Sequence, residues 1–98
     1  MYIVEYTPRA REDLKTFKKH EQNEIVDAVD AQLSYEPAVE TRNRKRMQAN
    51  SYAEWELRVG DFRVLYNVDV DVQVVEIQRV GEKRGNLFFF RRRREDIE

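Results

Sequence analysis

Trp55-Glu56-Leu57-Arg58-Val59-Gly60-Asp61-Phe62-Arg63-Val64-Leu65-Tyr66 is the stretch whose reading decides the fold. Two runs rich in β-branched, aromatic and aliphatic residues flank Gly60-Asp61, a pair suited to a two-residue hairpin turn. Side chains alternate along a strand. Such a turn sets Val59 opposite Phe62, Arg58 opposite Arg63, Leu57 opposite Val64, Glu56 opposite Leu65 and Trp55 opposite Tyr66. One face then collects Trp55, Leu57, Val59, Phe62, Val64 and Tyr66, which is core. The other collects Glu54, Glu56, Arg58, Arg63, Leu65 and Asn67. Two arginines directly across an antiparallel pair repel each other. Glu56 on the same face is one source of compensation, and an anionic ligand is another. Guanidinium groups bind phosphate in bidentate fashion and stabilise developing negative charge. A carboxylate can take a proton from a hydroxyl. A salt-bridged sheet face with no function has the same pattern, so the residues alone leave both readings open.

Upstream, Tyr2-Ile3-Val4-Glu5-Tyr6 reads as a strand. Thr7-Pro8 reads as a helix start, with Thr as N-cap and Pro in the first turn. Ala10, Leu14 and Phe17 share one face of that helix. Glu12 and Asp13 sit early in it, and Lys15, Lys18 and Lys19 late, as the helix macrodipole favours. A second helix is expected from about Glu21 to Ser34, with Ile25, Val29 and Leu33 as its buried stripe and Val26 beside them. Tyr35-Glu36-Pro37 ends it. His20 falls between the two helices, as a surface cap residue. Residues 38–53 have no clear period and read as a connecting segment. Downstream, strands are expected near 54–59, 62–68 and 72–80, with Asp69-Val70-Asp71 as the second turn. The fold class is therefore α+β: an N-terminal strand, a two-helix antiparallel hairpin, then a three-stranded antiparallel meander. The tail from Arg91 is too charged for the core and reads as frayed or helical.

The totals narrow the chemistry. A chain of 98 residues fits one domain. The absence of cysteine excludes a disulfide framework and thiolate metal sites. One histidine cannot build a zinc site. No metal and no cofactor is expected. No apolar run approaches membrane-spanning length, so the chain is expected to be soluble and cytoplasmic, with no membrane partner. The formal net charge is −1, but it hides a separation. Between His20 and Thr41 there are acids and no Lys or Arg, whereas Arg42, Arg44, Lys45 and Arg46 follow directly. A second basic block runs through Arg79, Lys83, Arg84 and Arg91 to Arg94. Segregated charge creates local fields that the net value does not report.

The hairpin stretch resembles the central hairpin of the RelE/ParE toxin superfamily. Thr41-Arg42-Asn43-Arg44-Lys45-Arg46 resembles the segment before it, and Val80-Gly81-Glu82-Lys83-Arg84-Gly85-Asn86-Leu87-Phe88 the family's last strand and following turn. Val4-Glu5-Tyr6-Thr7-Pro8-Arg9-Ala10 and the two-helix order match as well. The resemblance covers nearly the whole chain. It implies a RelE-like β-α-α-β-β-β toxin domain over residues 1–90, with 91–98 as a charged C-terminal tail.

The resemblance also implies a function. The chain would be the toxin of a type II toxin–antitoxin system, with a cognate antitoxin, the ribosome and mRNA as partners. RelE-like members are endoribonucleases that cut mRNA in the ribosomal A site, by attack of the 2′-hydroxyl on the adjacent phosphorus to give a 2′,3′-cyclic phosphate. Carried over by position, Arg63 and either Arg84 or Lys83 would steady the phosphorane, with Arg58 in support. Best-known RelE enzymes carry lysines where Glu54 and Glu56 stand here, and a tyrosine near the C-terminus where this chain has Phe88, Phe89 and Phe90. Other relatives use a glutamate as general base, a role that falls to Glu56 or Glu54. Arg42, Arg44, Lys45 and Arg46 would contact RNA phosphates, and Phe88 and Phe89 would stack on bases. ParE-like members share the fold but act on DNA gyrase without cutting RNA. A catalytically degenerate antitoxin-binding module is the third expectation.

Overall fold

The computed structural model describes residues 1–95. Its elements are β1 (Ile3–Tyr6), α1 (Pro8–Lys15), α2 (Lys19–Leu33), β2 (Arg44–Arg46), β3 (Trp55–Val59), β4 (Phe62–Asp69), β5 (Val74–Arg84), β6 (Leu87–Phe90) and β7 (Arg93–Glu95). The strands form one sheet in the order β2-β3-β4-β5-β6-β7, antiparallel throughout, with β1 added parallel to β5. The β3–β4 register is the one read from the hairpin, from Trp55↔Tyr66 to Val59↔Phe62. Gly60 takes a φ of 60°, which glycine adopts without steric cost.

The main core lies between the helices and one face of the sheet. Ala10, Ile25, Val29 and Leu33 pack there against Trp55, Leu57, Val59, Val64, Tyr66, Val75, Ile77 and Val80. Thr7 caps α1 by accepting from the Ala10 amide, and its hydroxyl also donates to the Ile77 carbonyl, tying the helix start to the sheet. The Tyr66 hydroxyl donates to the Pro37 carbonyl at 2.8 Å, which fixes the chain leaving α2.

Several expectations need correction. Residues 38–53 are not wholly irregular, because Arg44–Arg46 pair with β3 as a short edge strand. Its charged side chains hid it from a periodicity test, and charge on an edge is how sheets avoid edge-to-edge pairing. The meander continues past residue 80. β5 runs to Arg84, turns at Gly85-Asn86 and returns as β6 and β7. The described part of the tail is therefore extended and paired, neither frayed nor helical. Residues 96–98 of the expected tail lie outside the described residues. α1 is one turn shorter than its apolar stripe implied, so Lys18 and Lys19 belong to the start of α2, and His20 sits exposed in its first turn. Asp13 is not an early macrodipole partner. It is fully buried near the C-terminal end of α1.

Candidate functional site

The face of the sheet opposite the helices is only partly open. Segment 47–53 and β6 fold over its middle, where Leu65, Ala53 and Phe90 form a second small core with Met47, Tyr52 and Phe88 packed on it. Leu65 is thus buried on the face the hairpin pattern marked as polar. Phe90 lies over Gly81, where an added Cβ would strike the Phe89 carbonyl and the Phe90 ring.

Beside this cover sits the charged cluster. The Glu56 side chain is 7% exposed, with Oε1 at 3.4 Å from Arg58 Nε and 4.0 Å from Arg63 Nε. Arg58 and Arg63 are directly opposite each other, as the register requires. They differ in freedom. Arg58 is 44% exposed, whereas Arg63 is 14% exposed and donates through Nη1 to the Gly60 and Phe62 carbonyls at 2.7 and 2.8 Å. Lys45 stands beside Glu56 in the β2–β3 register and so shares its face.

Alternation puts Lys83 and Arg84 on opposite faces of the sheet. Arg63 pairs with Gly81, so Gly81 and Lys83 lie on the Arg63 face and Arg84 on the other. The side chains agree. Lys83 Nζ lies 5.2 Å from the Phe88 ring, while Arg84 lies 5.0 Å from the Phe89 ring and 3.6 Å from Glu82 Oε2. Arg84 and Phe89 are therefore on the helix side of the sheet, away from Arg63, and Phe88 is on the site face. The structure brings together Glu56, Arg58, Arg63, Lys83, Lys45 and Phe88. It leaves Glu54 outside, exposed and paired with Arg46 at 3.8 Å. Arg46 also lies 5.5 Å from the Trp55 ring. Arg44 is engaged structurally, donating to the carbonyls of Val39 and Gln32. Arg42 is exposed.

A second polar cluster was not singled out from the sequence. On one edge of β5, β1 covers residues 74–77 and β6 covers 82–84, leaving a gap between. Asp13 fills it. Its Oδ2 accepts from the Val80 amide at 3.1 Å and from Arg79 Nε at 2.7 Å, and its Oδ1 accepts from Arg91 Nε at 2.8 Å. Arg79, 3% exposed, also donates to Glu95, and Tyr52 donates its hydroxyl to the same carboxylate. Burial opposes the charge on Arg79, but its bonds to Asp13 and Glu95 outweigh that and raise its pKa. Burial would likewise raise the Glu95 pKa, yet hydrogen bonds from Tyr52 and Arg79 hold it below the usual carboxylate range. Two signals for this cluster were present in the sequence. Asp13 falls three residues after Ala10 on the buried stripe, and the apolar alternation Val75, Ile77 breaks before Val80. The break is a bulge between Leu65/Tyr66 and their partners, and it turns Arg79 to the site face.

Among the described residues no group of three or more His, Cys, Asp or Glu side chains is placed to hold a metal ion. Among the same residues no helix is long and apolar enough to cross a membrane.

The chain matches one family and resembles several solved structures of one fold. Residues 4–87 match the family described as the ParE toxin of the type II toxin–antitoxin system parDE. Among solved structures, the chain is similar to a chain of the RelBE2 toxin–antitoxin complex from Mycobacterium tuberculosis, at 29% identity and a TM-score of 0.72, covering 84% of this chain and 98% of that one. It is also similar to the archaeal RelE–RelB complex from Pyrococcus horikoshii OT3, at 23% identity and TM-score 0.67, covering 86% and 96%. The intact Escherichia coli RelBE complex matches at 21% identity and TM-score 0.63, covering 86% and 99%. These last two show the fold alone. No protein of curated function matches.

Proposed function

The chain belongs to the ParE toxin family of type II toxin–antitoxin systems, within the RelE/ParE superfamily, and from that premise we propose that its Glu56–Arg58–Arg63–Lys83 face cleaves mRNA in the ribosome. One observation carries the reading: Lys45, Arg58, Arg63 and Lys83 share a sheet face with Glu56, whose carboxylate is nearly buried. Such a face is an anion receptor with a proton acceptor inside it. Arg58, Arg63 and Lys83 bind the phosphodiester and stabilise the charge that develops on its oxygens. Glu56 takes the proton of the 2′-hydroxyl, whose oxygen attacks the adjacent phosphorus. The bond to the 5′-oxygen breaks, and the Lys83 ammonium protonates the leaving oxygen. The products are a 2′,3′-cyclic phosphate and a 5′-hydroxyl end. Phe88 beside Lys83 stacks on a base. A cognate antitoxin neutralises the toxin. The three similar structures are complexes of that kind.

The family match itself favours a second reading. ParE-like toxins inhibit DNA gyrase, and in that case the same face binds without chemistry. Two assays with the purified chain separate them: cleavage of mRNA on programmed ribosomes, and supercoiling by gyrase. RNA cleavage that is lost in Arg63→Ala and Lys83→Ala supports the nuclease. Inhibited supercoiling with intact mRNA supports the second reading. Harmless overproduction without antitoxin marks a degenerate binding module.

A further inference from the structure

A groove of about 520 Å³, within the range of small-ligand sites, lies beside the second core, lined by Arg9, Arg79, Phe90, Arg91, Arg93 and Glu95. Four guanidinium groups thus meet one carboxylate on its walls. The Asp13 carboxylate behind it is already taken by Arg79 and Arg91. The outer edge of the buried Arg79 guanidinium donates through Nη1 and Nη2 to Glu95 at 3.3 and 3.2 Å, and the Tyr52 hydroxyl donates to the same carboxylate at 2.5 Å. The Phe90 ring lies 4.2 Å from the Arg79 guanidinium. This is a built anion receptor, and the chain's own Glu95 occupies it.

The occupant is attached in a way that lets it leave. Glu95 sits on β7, a three-residue strand that among the described residues pairs with β6 and no other strand. The two turn residues before it, Arg91 and Arg92, have φ of 51° and 67°. Side chains of L-residues disfavour this left-handed region, and two in succession make a turn that glycine or asparagine would form more readily. The strap is therefore held shut by its contacts more than by its turn.

What lies along the groove indicates its ligand. Arg79 and Lys83 share the face of Arg63. Between them Phe88 and Phe90 stack with rings 4° apart, Lys83 lies over Phe88 and Arg79 over Phe90. A line of cations interleaved with rings, leading away from an arginine pair, is the pattern that single-stranded nucleic acid uses. We propose that the Arg9–Arg79–Arg93 groove is a phosphate subsite for single-stranded RNA next to the Arg63 face, closed in the free chain by Glu95 and opened when β7 lifts. The choice of RNA rests on the nuclease reading. The existence of the gate does not.

The test is fluorescence anisotropy of labelled octauridylate with the full-length chain, with a hexaglutamate peptide as the rival probe. Glu95→Gln removes the internal anion and is expected to bind octauridylate about fivefold tighter than the parent chain, the net worth of one ordinary hydrogen bond. Tyr52→Phe, which loosens Glu95 without touching Arg79, shifts affinity in the same direction by less. Adding Arg93→Ala to Glu95→Gln removes the gain. Arg63→Ala lowers the affinity of both chains, but Glu95→Gln gains the same factor over Arg63→Ala as over the parent chain, which separates this groove from the proposed catalytic face. Unchanged or weaker binding in both Glu95→Gln and Tyr52→Phe, each with native circular dichroism, overturns the gate. A gain for hexaglutamate and none for octauridylate overturns the RNA assignment. Tighter octauridylate binding together with no mRNA cleavage on ribosomes leaves the subsite standing and overturns the nuclease reading alone.

Discussion

Arg63 Nε lies 4.0 Å from Glu56 Oε1, buried and without a hydrogen-bond partner among the described residues. The guanidinium is held by the Gly60 and Phe62 carbonyls through Nη1 instead. Its compensation from Glu56 is therefore coulombic, shared with Arg58. Replacing Glu56 by glutamine leaves two arginines opposed with no counter-charge. We expect Glu56→Gln to lower stability by about 1–2 kcal/mol, reduced from a fully buried pair by the exposure of Arg58. In a double-mutant cycle with Arg58→Gln, part of that loss returns. Urea unfolding measures it, and an unchanged midpoint in Glu56→Gln rules out this compensation.

The Tyr6 hydroxyl is buried and has no hydrogen-bond partner among the described residues. Burial, with Asp30 nearby, pushes its pKa up to about 12. A raised phenol pKa means that the folded chain holds its proton longer than the unfolded chain. Its contribution is complete below the unfolded value near 10 and is lost as pH rises from there through the folded value. Tyr6→Phe removes an unsatisfied polar atom. It should therefore leave stability at pH 7 unchanged or raise it by about 1 kcal/mol, and flatten the alkaline decline between pH 10 and 12. Thermal unfolding against pH checks both parts.

Glu95 has the opposite sign. Its folded pKa lies below the unfolded value near 4.3, so its stabilisation is present above that pH and is lost as pH falls through the folded value. The unfolding midpoint of the parent chain should fall more steeply below pH 4 than that of Glu95→Gln. Parallel curves would show that the Tyr52 and Arg79 bonds to Glu95 contribute nothing.

Gly81 is the point where β6 folds the Phe90 ring onto the sheet. Its Cβ position is occupied by backbone as well as by a ring, so a neighbour cannot simply rotate away. Gly81→Ala should cost about 1–3 kcal/mol, in the range of overpacked core sites, while alanine at Gly85 meets no atom and costs only its left-handed backbone. Denaturant midpoints of the two variants distinguish packing from backbone strain.

The hairpin was legible because turn length and period-2 alternation together leave one register. α2 was legible because Ile25, Val29 and Leu33 recur at helical spacing. β2 and β7 were not, since Arg44–Arg46 and Arg93–Glu95 carry no apolar alternation and exist through pairing with β3 and β6. In the site, Glu56, Arg58 and Arg63 followed from register. The faces of Lys83 and Arg84 did not, because they depend on the β4–β5 pairing and its bulge. The Asp13–Arg79–Glu95 cluster joins residues 66 and 16 positions apart, and no local pattern links an acid on a helix to an arginine across a strand gap.

The most direct test of the account is primer-extension mapping of translated mRNA after induction of the chain without antitoxin, beside Arg63→Ala and Lys83→Ala variants confirmed to be folded. New 5′ ends at defined positions within translated codons are expected for the parent chain, and their loss in both variants. Growth arrest with intact mRNA, or unchanged cleavage in both variants, contradicts the proposed site and its chemistry.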